Sequence, residues 1–498
     1  MKAIVATAFR LVSPSALVVA MVLVLLDGHS APLSDVWRPL VVGVALTLIL
    51  QVAATLVLRD RLLGTYVTAI IVSVVLGLWA VAGILLVLPA WWWAVAANRR
   101  RTGRTATRSF PIAWIGRAGA IVAGVFLLLS VARVAAAFNP LMEDHAPVAV
   151  ELPGSGGPDI FVLILDGYPR ADTLQKDLGI DNSEFLSALA RDGFVVDEAS
   201  RANYMKTWLS VASMLHLRFV DEIPMLEHPT QDPAGQHRLA GRAIQQAPFA
   251  EALRERGYKI VAGTSSFTET DLLTADRVLD AGQPTNFENH VMETTMVARI
   301  VEMVAPGLLG RLQVDQAVEG LAHLRSIARE PSAQPIFMLS HIEAPHTPFA
   351  VDATGDPVPM PDCYPISCSA FDHYFTILGL TRDQYADRLA GYLEYTNQHV
   401  LDAVAEVVSE RPDAVVIVMS DHGSRYDAND PQEHFRNLFA ARTPGAEDVF
   451  PPGSHLVNVF RHLSNAYFDT DFAVLPYQAW FSDGLLLDLV PVDVPASD

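Results

Sequence analysis

The chain is 498 residues long, 51% hydrophobic and only 18% charged, with a formal net charge of −20. That charge is uneven: through Pro140 there are 12 Lys+Arg against 3 Asp+Glu, and beyond it 23 against 52. An apolar, basic first part therefore precedes an acidic part of water-facing composition, and the absence of a basic stripe excludes nucleic acid as a partner.

Three stretches read as membrane spans of roughly 20 residues: Ile4 to Leu26, Pro39 to Leu58 and Ala113 to Ala137. With no small-x-small site after Leu26 and further spans downstream, the first reads as a span and not as a cleaved signal peptide. Between Arg61 and Asn98 lies an apolar stretch of about 35 residues, too long for one untilted helix. Arg59 and Arg61 border it on one side, and Arg99, Arg100, Arg101, Arg104 and Arg108 on the other. Basic loops stay in the cytoplasm. The stretch is expected to cross twice, turning near Gly77 to Gly83, with Trp91, Trp92 and Trp93 at the inner interface. The sum is about five spans, with the N-terminus inside and everything after Pro140 outside, in a cell membrane. Were the stretch a single helix, the second part would face the cytoplasm. The two cysteines, Cys363 and Cys368, fall in the outward part, where a disulfide is permitted; a local staple and two separate thiols both fit the spacing.

Glu151-Leu-Pro-Gly-Ser-Gly-Gly-Pro158 is a linker by composition, and it lacks the Gly-Lys-Ser/Thr ending of a phosphate-binding P-loop. Asp159-Ile-Phe-Val-Leu-Ile-Leu-Asp166-Gly167 follows, an apolar strand that stops at a carboxylate. Ser183 to Arg191 reads as a short amphipathic helix and Phe194 to Asp197 as a strand. Leu209, Ala212 and Leu215 then give a helix face, so Thr207 stands at or near its N-cap. A hydroxyl there serves as a cap, or as a nucleophile that exposed N–H groups and a nearby cation activate. Ser210 is the reserve nucleophile, and Ser213 reads as a packing hydroxyl.

Glu251 to Arg256 and Tyr258 to Ala262 give another helix and strand, and Val314 to Arg329 an amphipathic helix. Pro335 opens a strand that runs into His341-Ile-Glu-Ala-Pro-His346, two histidines stiffened by Pro345 and Pro348. Such a pair beyond a strand suits an anion or a second cation. After a long helix from Thr381 to Glu410 comes Ala414-Val-Val-Ile-Val-Met-Ser-Asp-His-Gly423. It is a run fit for a strand covered on both faces. It ends in Asp421 and His422, two metal ligands on one rigid support, and chemistry collects at the carboxyl ends of strands in open α/β sheets. Asp166 offers a third ligand. His434 lies twelve residues beyond His422, before a strand at Asn437 to Ala441. Ser454 to Ala466 is helical, and the stretch from Asp483 is a tail without motif. The expected division is 1–140 as a multi-pass anchor, 141–158 as linker, 159–482 as the outward catalytic domain and 483–498 as tail.

This ordered set resembles the alkaline phosphatase superfamily in its sulfatase-like branch, nearest to membrane-anchored lipoteichoic acid synthases and phosphoethanolamine transferases. The resemblance covers roughly Asp159 to Phe468 together with the anchor, and implies an α/β fold with a mixed sheet flanked by helices. It implies a metal held by Asp166, Thr207, Asp421 and His422, with His341, His346 and His434 on the transferred group or a second metal. Oxygen and nitrogen ligands suit Zn²⁺ or Mn²⁺ better than Ca²⁺ or Mg²⁺. Neither cysteine sits in the Cys-x-Pro-Ser-Arg stretch of a formylglycine sulfatase, and a threonine points to phosphoryl chemistry. The expected activity is transfer of a phospho-headgroup from a membrane lipid to an envelope glycan or lipid. A diester or sulfate-ester hydrolase, and a non-catalytic protein keeping the fold, are the alternatives. Nothing in the sequence fixes the oligomeric state.

Overall fold

The computed structural model describes residues 2–79, 81–87, 93, 112–138, 146–227, 229–282, 284–347, 349–359, 380–424, 431–482 and 484–494. Cys363, Cys368, Trp91, Trp92 and the arginine cluster of 99–108 lie outside the described residues. Contacts divide the chain into two compact units, Met1–Met142 with Phe287–Val304, and Glu143–Asn286 with Ala305–Asp498. The division differs from the expected one, because a piece of the 159–482 stretch clusters with the N-terminal helices.

The first unit contains α1 (Lys2–Asp27), α2 (Trp37–Leu58), α3 (Arg61–Val75) and α4 (Ile112–Phe138). Among the described residues, two helices are long and apolar enough to cross a membrane by length and composition, Leu33–Leu58 and Ala120–Ala137. Pro14–Asp27 and Arg61–Val75 are shorter apolar helices. The Asp60 side chain caps α3 by accepting from the Leu62 and Leu63 N–H groups at 2.8 and 3.0 Å. After α3 the chain turns at Gly77, whose φ of 71° suits glycine. Helical residues then run back along α3, where the Tyr66 hydroxyl meets Leu85 O. Polar groups sit inside this unit: Gln51 Nε2 donates to Thr65 Oγ1 at 2.9 Å, and Thr68 and Ser73 are buried. Large apolar side chains such as Ile49, Leu56 and Val57 face outward.

The second unit is built on a seven-stranded sheet. Its strands are β1 (Ile160–Leu165), β2 (Val195–Val196), β3 (Lys259–Gly263), β4 (Arg277–Leu279), β5 (Ile336–Ile342), β6 (Val415–Met419) and β7 (Phe439–Arg442). The order is β2-β7-β6-β1-β5-β3-β4, parallel throughout except for β7, which runs antiparallel to β6 and β2. Every residue of β1, β5 and β6 is buried, as their unbroken apolar runs require. The helices Leu308–Arg329 and Arg382–Glu410 supply buried leucines, valines and tyrosines to the same core cluster. A capping box of Thr381 and Gln384 starts the second of these.

Two segments expected to be loose are tied down. In the linker, Gly156 and Arg256 exchange bonds of 2.8 and 2.9 Å, and the Tyr258 hydroxyl donates to Pro158 O. A Cβ on Gly157 would collide with that hydroxyl, so only glycine fits. At the other end, the stretch from Asp483 is not a bare tail. Leu489–Val492 (β9) pairs antiparallel with Ala479–Ser482 (β8), and the Arg201 guanidinium donates to Val494 O at 3.1 Å.

Candidate active site

The sheet register explains why distant residues meet. Ile164 of β1 pairs with His341 of β5 on one side and Met419 of β6 on the other. Side chains alternate along strands, so Asp166, two beyond Ile164, and Asp421, two beyond Met419, share the face that carries His341. All lie at the carboxyl ends of three adjacent parallel strands. Asp166 N–H donates to Ile342 O at 3.0 Å, which continues the ladder to the carboxylate itself.

The corner after β6 is held by hydroxyl and amide bonds. Ser420 Oγ accepts from Tyr168 N–H at 2.8 Å and donates to His422 O at 2.6 Å, and the Asn437 amide donates to Ser420 O at 2.7 Å. Gly167 N–H donates to Asp421 Oδ1 at 3.0 Å. Gly423 lies so close to the Glu433 and Arg436 carbonyls that a Cβ would collide with both. Its N–H donates to His434 O at 2.8 Å.

His422 Nδ1 is 2.8 Å from Gly423 O. A carbonyl can only accept, so Nδ1 carries a proton and Nε2 is the nitrogen turned toward the carboxylates. That Nε2 lies 3.5 Å from an oxygen of Asp166 and 3.5 Å from one of Asp421. Ligand atoms of Asp166, Asp421 and His422 all fall within 4.8 Å of one another, and all three residues are buried. Asp166 Oδ1 and Asp421 Oδ2 have no hydrogen-bond donor among the described residues. Two carboxylates and an imidazole nitrogen thus converge, with one oxygen of each carboxylate lacking a donor among the described residues. Burying carboxylate oxygens in that state is costly, and a divalent cation would satisfy both. The donor set fits the metal that the sequence implied.

Around this group the histidines differ. His341 Nε2 stands 3.4 Å from Asp166 Oδ2, an ion-pair distance, and its Nδ1 is 3.2 Å from Thr270 Oγ1. Burial disfavours the His341 imidazolium, but Asp166, Asp421 and Asp271 outweigh burial and push its pKa up to about 9. For Asp166, burial raises the pKa, yet the charge of His346 and the bonds to His341 and His422 hold it well below the usual carboxylate range. His346 borders Gly167 beside His422 and donates Nδ1–H to Thr347 O at 2.8 Å. His341, His346 and His434 fall outside the group of mutually close ligand atoms. His434 is buried in the short helix Pro431–Phe435, and its ring packs 5.9 Å from Phe481.

Thr207 opens α5 (Thr207–His216) as its first residue and is buried, while Lys206 occupies the cap position without a capping bond. The next residue, Trp208, meets the Phe267 ring at 5.3 Å. Phe267 belongs to the loop that holds His341 through Thr270, so the helix start and His341 share one support. The other hydroxyls serve packing: Ser210 donates to Tyr204 O and Ser213 to Ser210 O.

That loop, Ser265-Ser-Phe-Thr-Glu-Thr-Asp271, went unweighed in the sequence, as did Glu343. Burial pushes the Glu343 carboxyl up to about 8, with Asp166 adding to the shift, and its oxygen is bonded to the Ser266 hydroxyl. Burial also pushes Asp271 up to about 8, although both its oxygens accept from Ser265 N–H at 3.0 Å. A signal existed for each. Glu343 stands two residues after His341, and Asp271 ends a polar run directly after β3, a fourth parallel strand. A small cleft with room of about 30 Å³ opens beside His422, His346 and Gly167, with Phe349, Tyr385 and Leu389 as its apolar wall.

A carboxylate–imidazole cluster at the carboxyl edge of a mixed α/β sheet defines the class of hydrolases and transferases that work on ester groups beside a divalent cation. The chain belongs to the Sulfatase family, whose model matches residues 158–462, more than half of its length. It is thereby a sulfatase-like enzyme of the alkaline phosphatase superfamily. No curated protein matches the chain by sequence. Among solved structures it is similar to the C-terminal periplasmic domain of EcEptC from Escherichia coli in complex with Zn. The identity is 14% and the TM-score 0.43, covering 69% of this chain and 96% of that one. It is also similar to BT1596, a 2-O GAG sulfatase, at 15% and 0.39, covering 62% and 71%. Phosphonate monoester hydrolase SpPMH from Silicibacter pomeroyi matches at 14% and 0.37, covering 61% and 71%.

Proposed function

We propose that this enzyme is anchored in the cell membrane by about five spans and works on the outer side. There it transfers a phospho-headgroup, of the phosphoglycerol or phosphoethanolamine type, from a lipid to a glycan or lipid hydroxyl of the envelope. The observation that carries the reading is the convergence of two buried carboxylates and an imidazole nitrogen at the strand ends, with an oxygen of each carboxylate lacking a donor among the described residues. Asp166, Asp421, His422 and the Thr207 hydroxyl would hold Zn²⁺ or Mn²⁺. When bound, the cation offsets charge on the phosphoryl oxygens and eases ionisation of a hydroxyl at neutral pH.

Thr207 Oγ1 forms a bond to phosphorus as the bond from phosphorus to the lipid oxygen breaks, leaving a phospho-threonine. The N-terminal N–H groups of α5 face the developing negative charge. His341, held protonated by its acidic neighbours, balances the transferred group, and His346 and His434 are the candidates to protonate the departing oxygen. In the second half, an acceptor hydroxyl attacks phosphorus, the bond to Thr207 breaks, and the threonine is restored. A soluble-ester hydrolase would differ only in using water for that attack. Threonine in place of a formylglycine precursor favours phosphoryl over sulfuryl chemistry.

Incubating the purified full chain with envelope lipids and sequencing the Thr207 peptide by mass spectrometry tests this. The expected result is a phospho-headgroup adduct on Thr207 that is lost in Thr207→Ala and kept, at reduced turnover, in Thr207→Ser. An unmodified peptide, together with preferential turnover of a chromogenic sulfate ester over a phosphodiester, would sink the reading.

A further inference from the structure

The first unit contains a piece of chain that interrupts the catalytic sequence. Phe287–Val304 holds most of α6 (Asn286–Thr294) and all of α7 (Val297–Val304). Phe287 is fully buried with Leu17, Val22 and Leu26 of α1 and Val72 of α3. Its ring meets His29 at 5.5 Å, and His29 meets His290 at 4.9 Å. Burial first, then His29, pushes His290 down to about 4, so it is uncharged. Arg38 lies 3.9 Å from Glu288, and Met296 N–H donates to Val75 O at 2.8 Å.

These contacts share one end of the bundle. They use the residues after α1, the start of α2 and the end of α3, whereas Arg59 and Arg61 mark the opposite end. On the topology proposed above, the contacted end is the outer one. Trp37, exposed at that end with the Arg38 guanidinium 5.6 Å from its ring centroid, has the make-up of an interfacial anchor.

α7 itself, Val-Ala-Arg-Ile-Val-Glu-Met-Val, buries Ala298 and exposes Ile300, Met303 and Val304, the last two by 76% and 77%. Positions i, i+3 and i+4 share one helix face. In water this trio would be an unpaired apolar patch. The same unit also turns Ile49 outward, and the trio has the make-up of a helix face that lies in a headgroup–acyl boundary.

We propose that α7 lies in the outer leaflet at the headgroup–acyl boundary, with Ile300, Met303 and Val304 in contact with phospholipid chains, and that it promotes turnover of lipid-borne substrate. The inference rests on the membrane topology of the proposed function. Its link to chemistry is short. Asn286 belongs to the catalytic unit, where its N–H donates to Ser266 O at 2.7 Å and its amide reaches Glu269 at 3.4 Å. Both partners lie in the loop that sets Thr270 against His341, and the very next residue is Phe287.

The test uses the full chain with Cys363→Ser and Cys368→Ser, reconstituted in phosphatidylethanolamine/phosphatidylglycerol nanodiscs. Single bimane-labelled cysteines replace Met303, Ile49 in α2 and the exposed Val195 of β2. Quenching by lipids with a shallow acyl spin label is expected at 303. Quenching by deep labels is expected at 49, and none at 195. Quenching at 49 without any at 303 overturns the inference and leaves the anchor intact; no quenching at either removes the membrane topology and this inference with it. In parallel, the combined variant Ile300→Gln, Met303→Gln, Val304→Gln should lower diacylglycerol release from the same lipids by roughly tenfold, as interfacial contact scales with apolar area. Its turnover of a soluble chromogenic phosphodiester should stay at the parent's level. Equal losses on both substrates would assign the trio a purely structural role.

Discussion

Asp159 and Asp166 stand seven residues apart, one just before β1 and one just after it, and the sheet treats them oppositely. At the amino end, Asp159 is fully used. One oxygen accepts from Ile336 N–H at 2.7 Å, the other from the Arg411 guanidinium at 2.8 Å, and its carbonyl accepts from Val415 N–H. It ties β1 to β5 and β6 and leaves nothing over. At the carboxyl end, Asp166 has an oxygen with no donor among the described residues, and so has Asp421. The same strands thus carry a carboxylate that closes a network and carboxylates that leave one open. An open network of charged groups inside a protein is expensive, and its persistence at one end of the sheet marks where a ligand belongs.

The comparison is broken most directly at Asp166 and Asp421. Asp166→Asn or Asp421→Asn should lower turnover by roughly 10³-fold or more, since a cation's charge stabilisation is worth several kcal/mol. Bound Zn²⁺ or Mn²⁺, read by elemental analysis, should fall with it. In chelator-treated protein Asp166→Asn should melt below the parent, because the ionised Asp166 carboxylate and the His341 imidazolium it faces stabilise one another. A melting point equal to the parent's would show that this pair adds nothing to the fold without a cation. The next largest effect is expected at Gly423→Ala, where the new Cβ meets fixed carbonyls of Glu433 and Arg436. Overpacking of this kind costs about 3 kcal/mol, readable in chemical denaturation. The shift of the Asp421–His422 corner should lower metal affinity together with stability.

Most of this contrast was legible in the sequence because strand ends announce themselves. The apolar runs of β1, β5 and β6 stop at Asp166, His341 and Asp421, and parallel pairing brings such stops together. His422 followed from its neighbour. What could not be read was orientation: which nitrogen of His422 faces the carboxylates is set by the contact of Nδ1 with Gly423 O, a backbone contact with no sequence signature. Glu343 and Asp271 carry no such mark, because single acids in polar loops are common, and only burial separates these two from the rest. The piece that clusters with the N-terminal helices was hidden for a different reason. Phe287 to Val304 is too short and too mixed to read as a span, and its partners, from Leu17 to Val75, are more than two hundred residues away. The tail failed likewise, since β9 makes sense only against β8 and Arg201.

Asp159→Asn sharpens the comparison from the other end. The Ile336 bond survives through the amide oxygen, while Arg411 loses its charged partner in a pair that is only partly buried. A stability loss of about 2 kcal/mol is expected, as for hydrogen bonds between charged groups, with turnover per folded molecule unchanged. A selective loss of activity would mean that the two ends are coupled and not merely different.

Asp271 adds the smallest and most specific test, because it is a carboxylate at the carboxyl end that does have partners. Its folded pKa of about 8 lies above the ordinary value of 3.8, because burial outweighs the His341 charge and the Ser265 bonds. Below pH 4 both the folded and unfolded chains hold the proton, and its effect on stability is nil. Between pH 4 and 8 the unfolded chain releases the proton while the folded chain keeps it, so stability should fall as pH rises, by up to ~1.4 kcal/mol per unit. Above pH 8 the decline stops. Asp271→Asn should flatten that slope in chelator-treated protein, measured by denaturation across the same range. If the slope is unchanged, Asp271 is ionised in the folded state and belongs with Asp166 and Asp421 among the groups that wait for a cation.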